Sequence, residues 1–195
     1  MREFLNIVPL ELADEIGAMY TDASWDTVHQ HRKGYYAREF TKTTKGIPSH
    51  NEDYTASFCR SGFLESSEKI QNAVHQYIMP IITSVISKEW IRTADIELRA
   101  YKLVNGGHFR LHKDDYRAAV GFIWYLSKDW KWDWGGLLLT LDNTNIGKAY
   151  LPEYNKLVVL DHESTQNAHC VTTVTCTALE PRLMLVGFIS SPTGS

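Results

Sequence analysis

The hydrophobic period of this chain changes once, near Trp90, and that change limits the folds open to it. Before it, Ile70, Val74, Tyr77, Ile78, Ile81, Ile82 and Val85 recur at threes and fours, so residues 65–86 read as one amphipathic helix. Pro80 falls inside that stretch and is expected to kink it. A shorter helix is expected over residues 10–20, with Pro9 placed to start it. After Trp90, Ile96, Leu98 and Ala100 alternate with Glu97, Arg99 and Tyr101, which is a strand pattern. Short apolar runs follow at 118–126, 137–141, 157–160, 170–175 and 183–190, several of them separated by Gly, Asp, Asn or Pro. Helices followed by strands predict an α+β class, with helices against one side of an antiparallel β structure. Small barrels and jelly rolls of this kind build their sites inside.

Length and composition fit that picture. The 195 residues are 44% hydrophobic and 22% charged, which suits one globular domain: residues 1–92 as helical and loop support and residues 93–190 as the β core. Residues 25–53 are polar, with His29, His31, Arg32 and Lys33 close together and Gly46 and Pro48 later. They read as loops and short strands, and a loop of this kind beside an active site can serve as a lid. A net charge of −3 does not point to nucleic acid or to an anionic membrane. The first residues carry Glu3, Glu11, Asp14 and Glu15, unlike a signal peptide, and no run approaches the ~20 apolar residues of a membrane span. A cytoplasmic monomer or homodimer is expected. Cys59, Cys170 and Cys176 are odd in number and show no CxxC spacing, so no disulfide framework is expected.

The chemistry concentrates in Tyr101–Asp114. In an extended chain, residues i and i+2 point to the same face, about 6.6 Å apart, so His112 and Asp114 can converge on one ion. An imidazole and a carboxylate suit a divalent transition metal. HxD occurs by chance in many chains, so a third ligand is needed. His162 and His169 are both available. His169 is better placed, because it opens the run His-Cys-Val-Thr-Thr-Val and can start a strand across the barrel from His112, whereas His162 follows residues 156–161 and falls in a turn. Two histidines and one carboxylate leave coordination positions open for a cosubstrate and O₂.

Arg182 leads into Leu-Met-Leu-Val-Gly-Phe-Ile. An arginine there can snorkel to the surface, or can anchor a carboxylate through two parallel charge-assisted hydrogen bonds. Trp124, Tyr125, Trp130, Trp132 and Trp134 cluster just before Gly135-Gly136, as core filling or as one wall of a substrate pocket. If that segment is extended, Trp130, Trp132 and Trp134 share a face. His108 and Arg110 share the parity of His112 and are candidate substrate contacts. Asp115 should point away from the metal.

Taken in order, Tyr101, His112-Lys-Asp114, Phe-Ile-Trp-Tyr-Leu-Ser-Lys-Asp-Trp130, Gly135-Gly136, residues 157–160, His169 and Arg182 resemble the prolyl-hydroxylase branch of the Fe(II)/2-oxoglutarate-dependent oxygenases, over about residues 96–190. The resemblance implies a double-stranded β-helix, or jelly roll, with supporting N-terminal helices. It implies Fe(II) on His112, Asp114 and His169, the distal carboxylate of 2-oxoglutarate on Arg182, and a further cosubstrate hydrogen bond from Tyr101. Trp124 stands where the oxygen-sensing members carry a second such tyrosine; it has no hydroxyl, and Tyr125 faces the other side of the strand. Arg117 stands where they carry a substrate-contacting arginine, and Trp134 joins Arg110 as a candidate substrate contact. Because Asp114 is present where halogenating relatives have a small residue, the implied reaction is hydroxylation of a C–H bond with O₂. Succinate and CO₂ are released, and ascorbate serves as reductant in vitro. The implied substrate is an amino acid, a small natural product or a peptidyl proline. Two other classes compete: a non-catalytic jelly-roll binding module, which has no need of Arg182 beside a triad, and a zinc hydrolase, which needs a general base that no residue singles itself out to be.

Overall fold

The computed structural model describes residues 1–32, 54–112, 114, 118–142, 145–162 and 168–190. Eleven strands, antiparallel throughout, form one curled sheet, and a few helices pack beside it in the α+β, double-stranded β-helix arrangement. In chain order the strands are β1 (Arg2–Leu5), β2 (Asp26–Arg32), β3 (Tyr54–Arg60), β4 (Ile96–Leu103), β5 (His108–His112), β6 (Val120–Tyr125), β7 (Leu138–Asp142), β8 (Asn145–Tyr150), β9 (Lys156–Asp161), β10 (His169–Val171) and β11 (Arg182–Ile189). They run β1-β9-β6-β11-β4-β3-β5-β10-β7-β8, with β2 beside β3.

The helices are α1 (Leu10–Asp22), α2 (Gly62–Glu65), α3 (Glu68–Ala73) and α4 (Met79–Val85). The long helix expected over 65–86 is thus divided. Its break is a π-helical turn, Val74–Ile78, just before Pro80. Proline has no N–H and clashes with a regular preceding turn, and a widened turn accommodates it. Residues 1–92 also do more than support. They contribute β1, β2 and β3, and β3 bridges two parts of the sheet: Arg60 pairs with Tyr101 on β4, while Ala56 pairs with Phe109 on β5. Of the stretch expected to be a lid, 26–32 is strand β2 and 33–53 lies outside the described residues.

Strands β6, β9 and β11 are buried on both faces, and alternation sorts their side chains into two cores. Phe122, Trp124, Leu157, Val159, Leu185 and Ile189 meet the helices, including Ile16 of α1 and Ile70 of α3. Ile123, Tyr125, Val158, Leu160 and Met184 face the barrel interior. A single interior is therefore available to hold a site.

Gly187 is required on the helix side. A Cβ there would lie 2.0 Å from Cε1 of Phe122, its register partner on β6. Gly187→Ala should destabilise the protein by about 3 kcal/mol, the upper end of the usual cost of overpacking, read as a lowered urea midpoint at unchanged m. A change below about 1 kcal/mol would mean that the Phe122 ring moves aside freely.

Candidate active site

The barrel interior opens into a cavity whose wall includes Tyr101, His112, Asp114, His162, His169 and Met184. Strand pairing builds its polar end. His112 on β5 and His169 on β10 are register partners, and their ring centroids lie 4.4 Å apart. Asp114 follows β5 directly, and its Oδ2 lies 3.7 Å from Nε2 of His112 and 3.4 Å from Nε2 of His169. One donor atom from each of the three fits within a 4.8 Å span. His112 Nδ1–H donates to the Arg110 carbonyl at 2.6 Å, which puts the ring's lone pair on Nε2, the nitrogen facing Asp114.

The electrostatics suit a cation. Burial, with help from neighbouring His169, pushes the His112 imidazole down to about 4, so it is neutral at physiological pH. Burial alone would raise the Asp114 carboxyl, but His112 and a hydrogen bond from His169 hold it well below the usual carboxylate range. Two imidazoles and one carboxylate form a donor set for a divalent transition metal with open positions. His162 has the turn position expected of it, and its ring lies 6.3 Å from that of His169. It lines the cavity but is not one of the three converging ligands.

Arg182 opens β11 and is 0% exposed, which rules out the snorkelling arrangement. It shares the inward face of β11 with Met184, whose sulfur contacts Nη1. Nε and Nη2 are buried and have no hydrogen-bond partner among the described residues. The guanidinium lies 5.0 Å from the centroid of the Tyr125 ring. The Tyr125 hydroxyl is buried too, and burial pushes it up to about 12 even though the Arg182 charge favours ionisation. The Gly135-Gly136 turn makes this close packing possible. Both glycines have positive φ (67° and 65°), and a Cβ on Gly136 would lie 2.8 Å from Cδ of Arg182. A buried guanidinium beside a phenol has the chemistry to receive a carboxylate.

Other expected contacts fall elsewhere. Trp124 belongs to the helix-side core, where its indole N–H donates to Asn155 Oδ1 at 3.3 Å; the inward position of β6 beside Arg182 is Tyr125. Trp132–Trp134 is a 3₁₀ turn, so the three tryptophans do not share a face. Trp132 is 59% exposed, while Trp130 and Trp134 pack edge to face at 5.2 Å. Trp134 is not among the cavity-lining residues.

The register of β5 against β10 shifts between Phe109 and His112. That irregularity puts Phe109 in the cavity wall, stacked on Phe58 at 4.9 Å, while His108 bonds Thr55 Oγ1 at 3.2 Å. Arg110 is not among the cavity-lining residues; its carbonyl accepts the hydrogen bond from His112. Tyr101 lines the cavity as expected. Arg117 lies outside the described residues. The three cysteines are unpaired. Arg99 and Gln30 also line the cavity and had not been singled out as site residues; the parity of Arg99 with Tyr101 was the available signal for the first.

Residues 97–190 match the model of the 2OG-Fe(II) oxygenase superfamily. No curated protein matches the chain. Among solved structures, a Pseudomonas putida prolyl-4-hydroxylase is similar, with a TM-score of 0.62 at 15% identity, covering 98% of this chain and 92% of that one. A Trichoplax adhaerens prolyl hydroxylase, solved with a peptide fragment of the hypoxia inducible factor oxygen degradation domain, gives 0.59 at 16% identity over 97% and 83%. The viral collagen prolyl hydroxylase of Paramecium Bursaria Chlorella virus-1 gives 0.56 at 10% identity over 98% and 96%. The converging triad and the matched sequence show that residues 97–190 of this chain belong to the 2OG-Fe(II) oxygenase superfamily, on a fold like that of the prolyl hydroxylases.

Proposed function

We propose that the chain, acting as one domain, is an Fe(II)- and 2-oxoglutarate-dependent hydroxylase in which His112, Asp114 and His169 hold the metal. The observation that carries this reading is Arg182, a fully buried guanidinium with idle donors on the inward face that leads to the triad. A binding module or a zinc hydrolase has no use for a fully buried cation at that place.

Iron bound there supplies dioxygen activation, with one oxygen atom going to a substrate C–H bond and the other to succinate as 2-oxoglutarate loses CO₂. The chain's own residues do the rest. The Arg110 carbonyl sets the His112 tautomer, and the two imidazoles keep Asp114 ionised. Arg182 and the Tyr125 hydroxyl take the distal carboxylate, and Tyr101 hydrogen-bonds the cosubstrate nearer the metal. Met184 contacts both the cavity and the guanidinium; its flexible thioether swings aside to admit the carboxylate. Ile123, Leu138, Leu160 and Val171 keep water from the reacting centre.

The substrate is a small molecule or a peptide, approached from the Arg99 side of the cavity. Among the described residues no helix is long and apolar enough to cross a membrane. A cytoplasmic monomer or homodimer that needs ascorbate in vitro completes the reading.

The test is succinate formation from 2-oxoglutarate with Fe(II), ascorbate and air. Wild type should turn over, at least in an uncoupled manner. Failure of metal-loaded protein both to turn over and to bind 2-oxoglutarate would reject the assignment.

A further inference from the structure

Among the described residues, Arg99 is the one charged residue of the cavity wall that neither the metal triad nor the cosubstrate anchor uses. It stands on β4, two residues before Tyr101, with its inward neighbours across β11 running in parallel: Arg99 opposite Val186, Tyr101 opposite Met184, Leu103 opposite Arg182. Arg99 and Arg182 are therefore four residues apart along the β4–β11 pair, about 13 Å at the usual rise. Arg182 is fully buried, whereas Arg99 lines the cavity and keeps some exposure.

The Arg99 side chain lines the cavity and is 16% exposed. It is held in place before any ligand arrives. Nε donates to Glu97 Oε1 at 2.7 Å, and Nη2 contacts the same oxygen. A further hydrogen bond joins it to Tyr101, and the guanidinium carbon lies 5.3 Å from the centroid of the Phe188 ring. A guanidinium carries five N–H donors. Glu97 and Tyr101 account for three of them, which leaves a pair for a carboxylate. Glu97 is 52% exposed, at the same rim.

We propose that Arg99 is the specificity-determining residue of this site, and that it binds the free carboxylate of the substrate: an α-amino acid or the C-terminal residue of a short peptide. The inference rests on the oxygenase reading above, because it needs 2-oxoglutarate at Arg182 and a second ligand between metal and mouth. For a zwitterionic amino acid, Glu97 accepts the ammonium group while Arg99 takes the carboxylate. An internal residue of a protein chain, with amides on both sides, leaves Arg99 without a matching partner.

The probes are the twenty free L-amino acids, tripeptides ending in each of them, and the C-terminal amides of both sets. Binding is measured anaerobically by calorimetry on Fe(II)- and 2-oxoglutarate-loaded protein, and succinate release is measured in air. At least one free acid should bind saturably, and its amide should bind at least about tenfold more weakly, the loss expected when a charge-assisted bidentate pair is removed. In Arg99→Gln the acid-to-amide ratio should fall toward one. Arg99→Lys, which keeps the charge but not the fork, should retain part of the ratio and guards against a mere folding defect.

No saturable binding by any free acid, equal binding of acid and amide, or an acid-to-amide ratio unchanged in Arg99→Gln would each overturn the proposal. A wild type that fails to bind 2-oxoglutarate at all would instead overturn the oxygenase reading beneath it. Preferential binding of the amides would point to an internal peptide residue.

Discussion

Arg182→Met should abolish 2-oxoglutarate binding and leave the ligand-free protein at least as stable as wild type. Substitution of a fully buried residue normally destabilises, so the expected sign is unusual, and it follows from the surroundings. Arg182 is 0% exposed, and Nε and Nη2 find no partner among the described residues. A buried charge without full compensation costs several kcal/mol in desolvation, and replacing such a group with a hydrophobic side chain of similar volume is often neutral or stabilising. The same group should dominate cosubstrate affinity. Removing one partner of a buried, hydrogen-bonded charge pair costs about 2–5 kcal/mol, and 3 kcal/mol is roughly a hundredfold in Kd. Thermal melts with and without 2-oxoglutarate read both effects. Wild type should gain stability with the ligand by mass action, and the variant should not. A ligand-free variant that melts well below wild type would show that Arg182 already has a strong partner in the resting protein.

Asp114→Ala and His169→Ala should each abolish iron binding and turnover. Loss of a group that merely supports a metal ligand costs about 10–100-fold in affinity or activity, and loss of a ligand must exceed that. Three donors clustered within 4.8 Å leave no spare coordination among themselves. His162→Gln is the discriminating control. His162 lies close by, with its ring 6.3 Å from that of His169, but it does not converge with the three ligands. It should retain stoichiometric iron by metal analysis. Loss of iron in His162→Gln with retention in His169→Ala would exchange the two assignments.

Much of the site was legible along the chain because its signals are local. HxD on extended backbone puts two ligands on one face whatever surrounds it, and His169 at the head of an apolar run is already placed at a strand start. Gly135-Gly136 and Arg182 were legible for a similar reason: a turn with two positive φ values needs glycine, and the arginine directly precedes a strand. The misplaced residues are those whose direction depends on partners. Trp124 and Tyr125 sit on a strand buried on both faces, so alternation shows that they diverge without showing which one looks inward. Arg110 and His108 lost the parity of His112 to a register shift that nothing in β5 alone announces. Trp130, Trp132 and Trp134 parted because the segment curls into a 3₁₀ turn instead of extending.

The sequence by itself determined the class of fold and the order of its main elements, and it offered the metal-binding triad and Arg182 as candidates, since each rests on periodicity or on side-chain chemistry at short spacing. Only the tertiary structure decided which of two histidines converges with His112 and Asp114, that Tyr125 and not Trp124 stands beside Arg182, and that Arg99 lines the cavity that holds the triad. Those outcomes depend on which strand lies next to which and in what register, and register is set by packing between segments far apart in the chain.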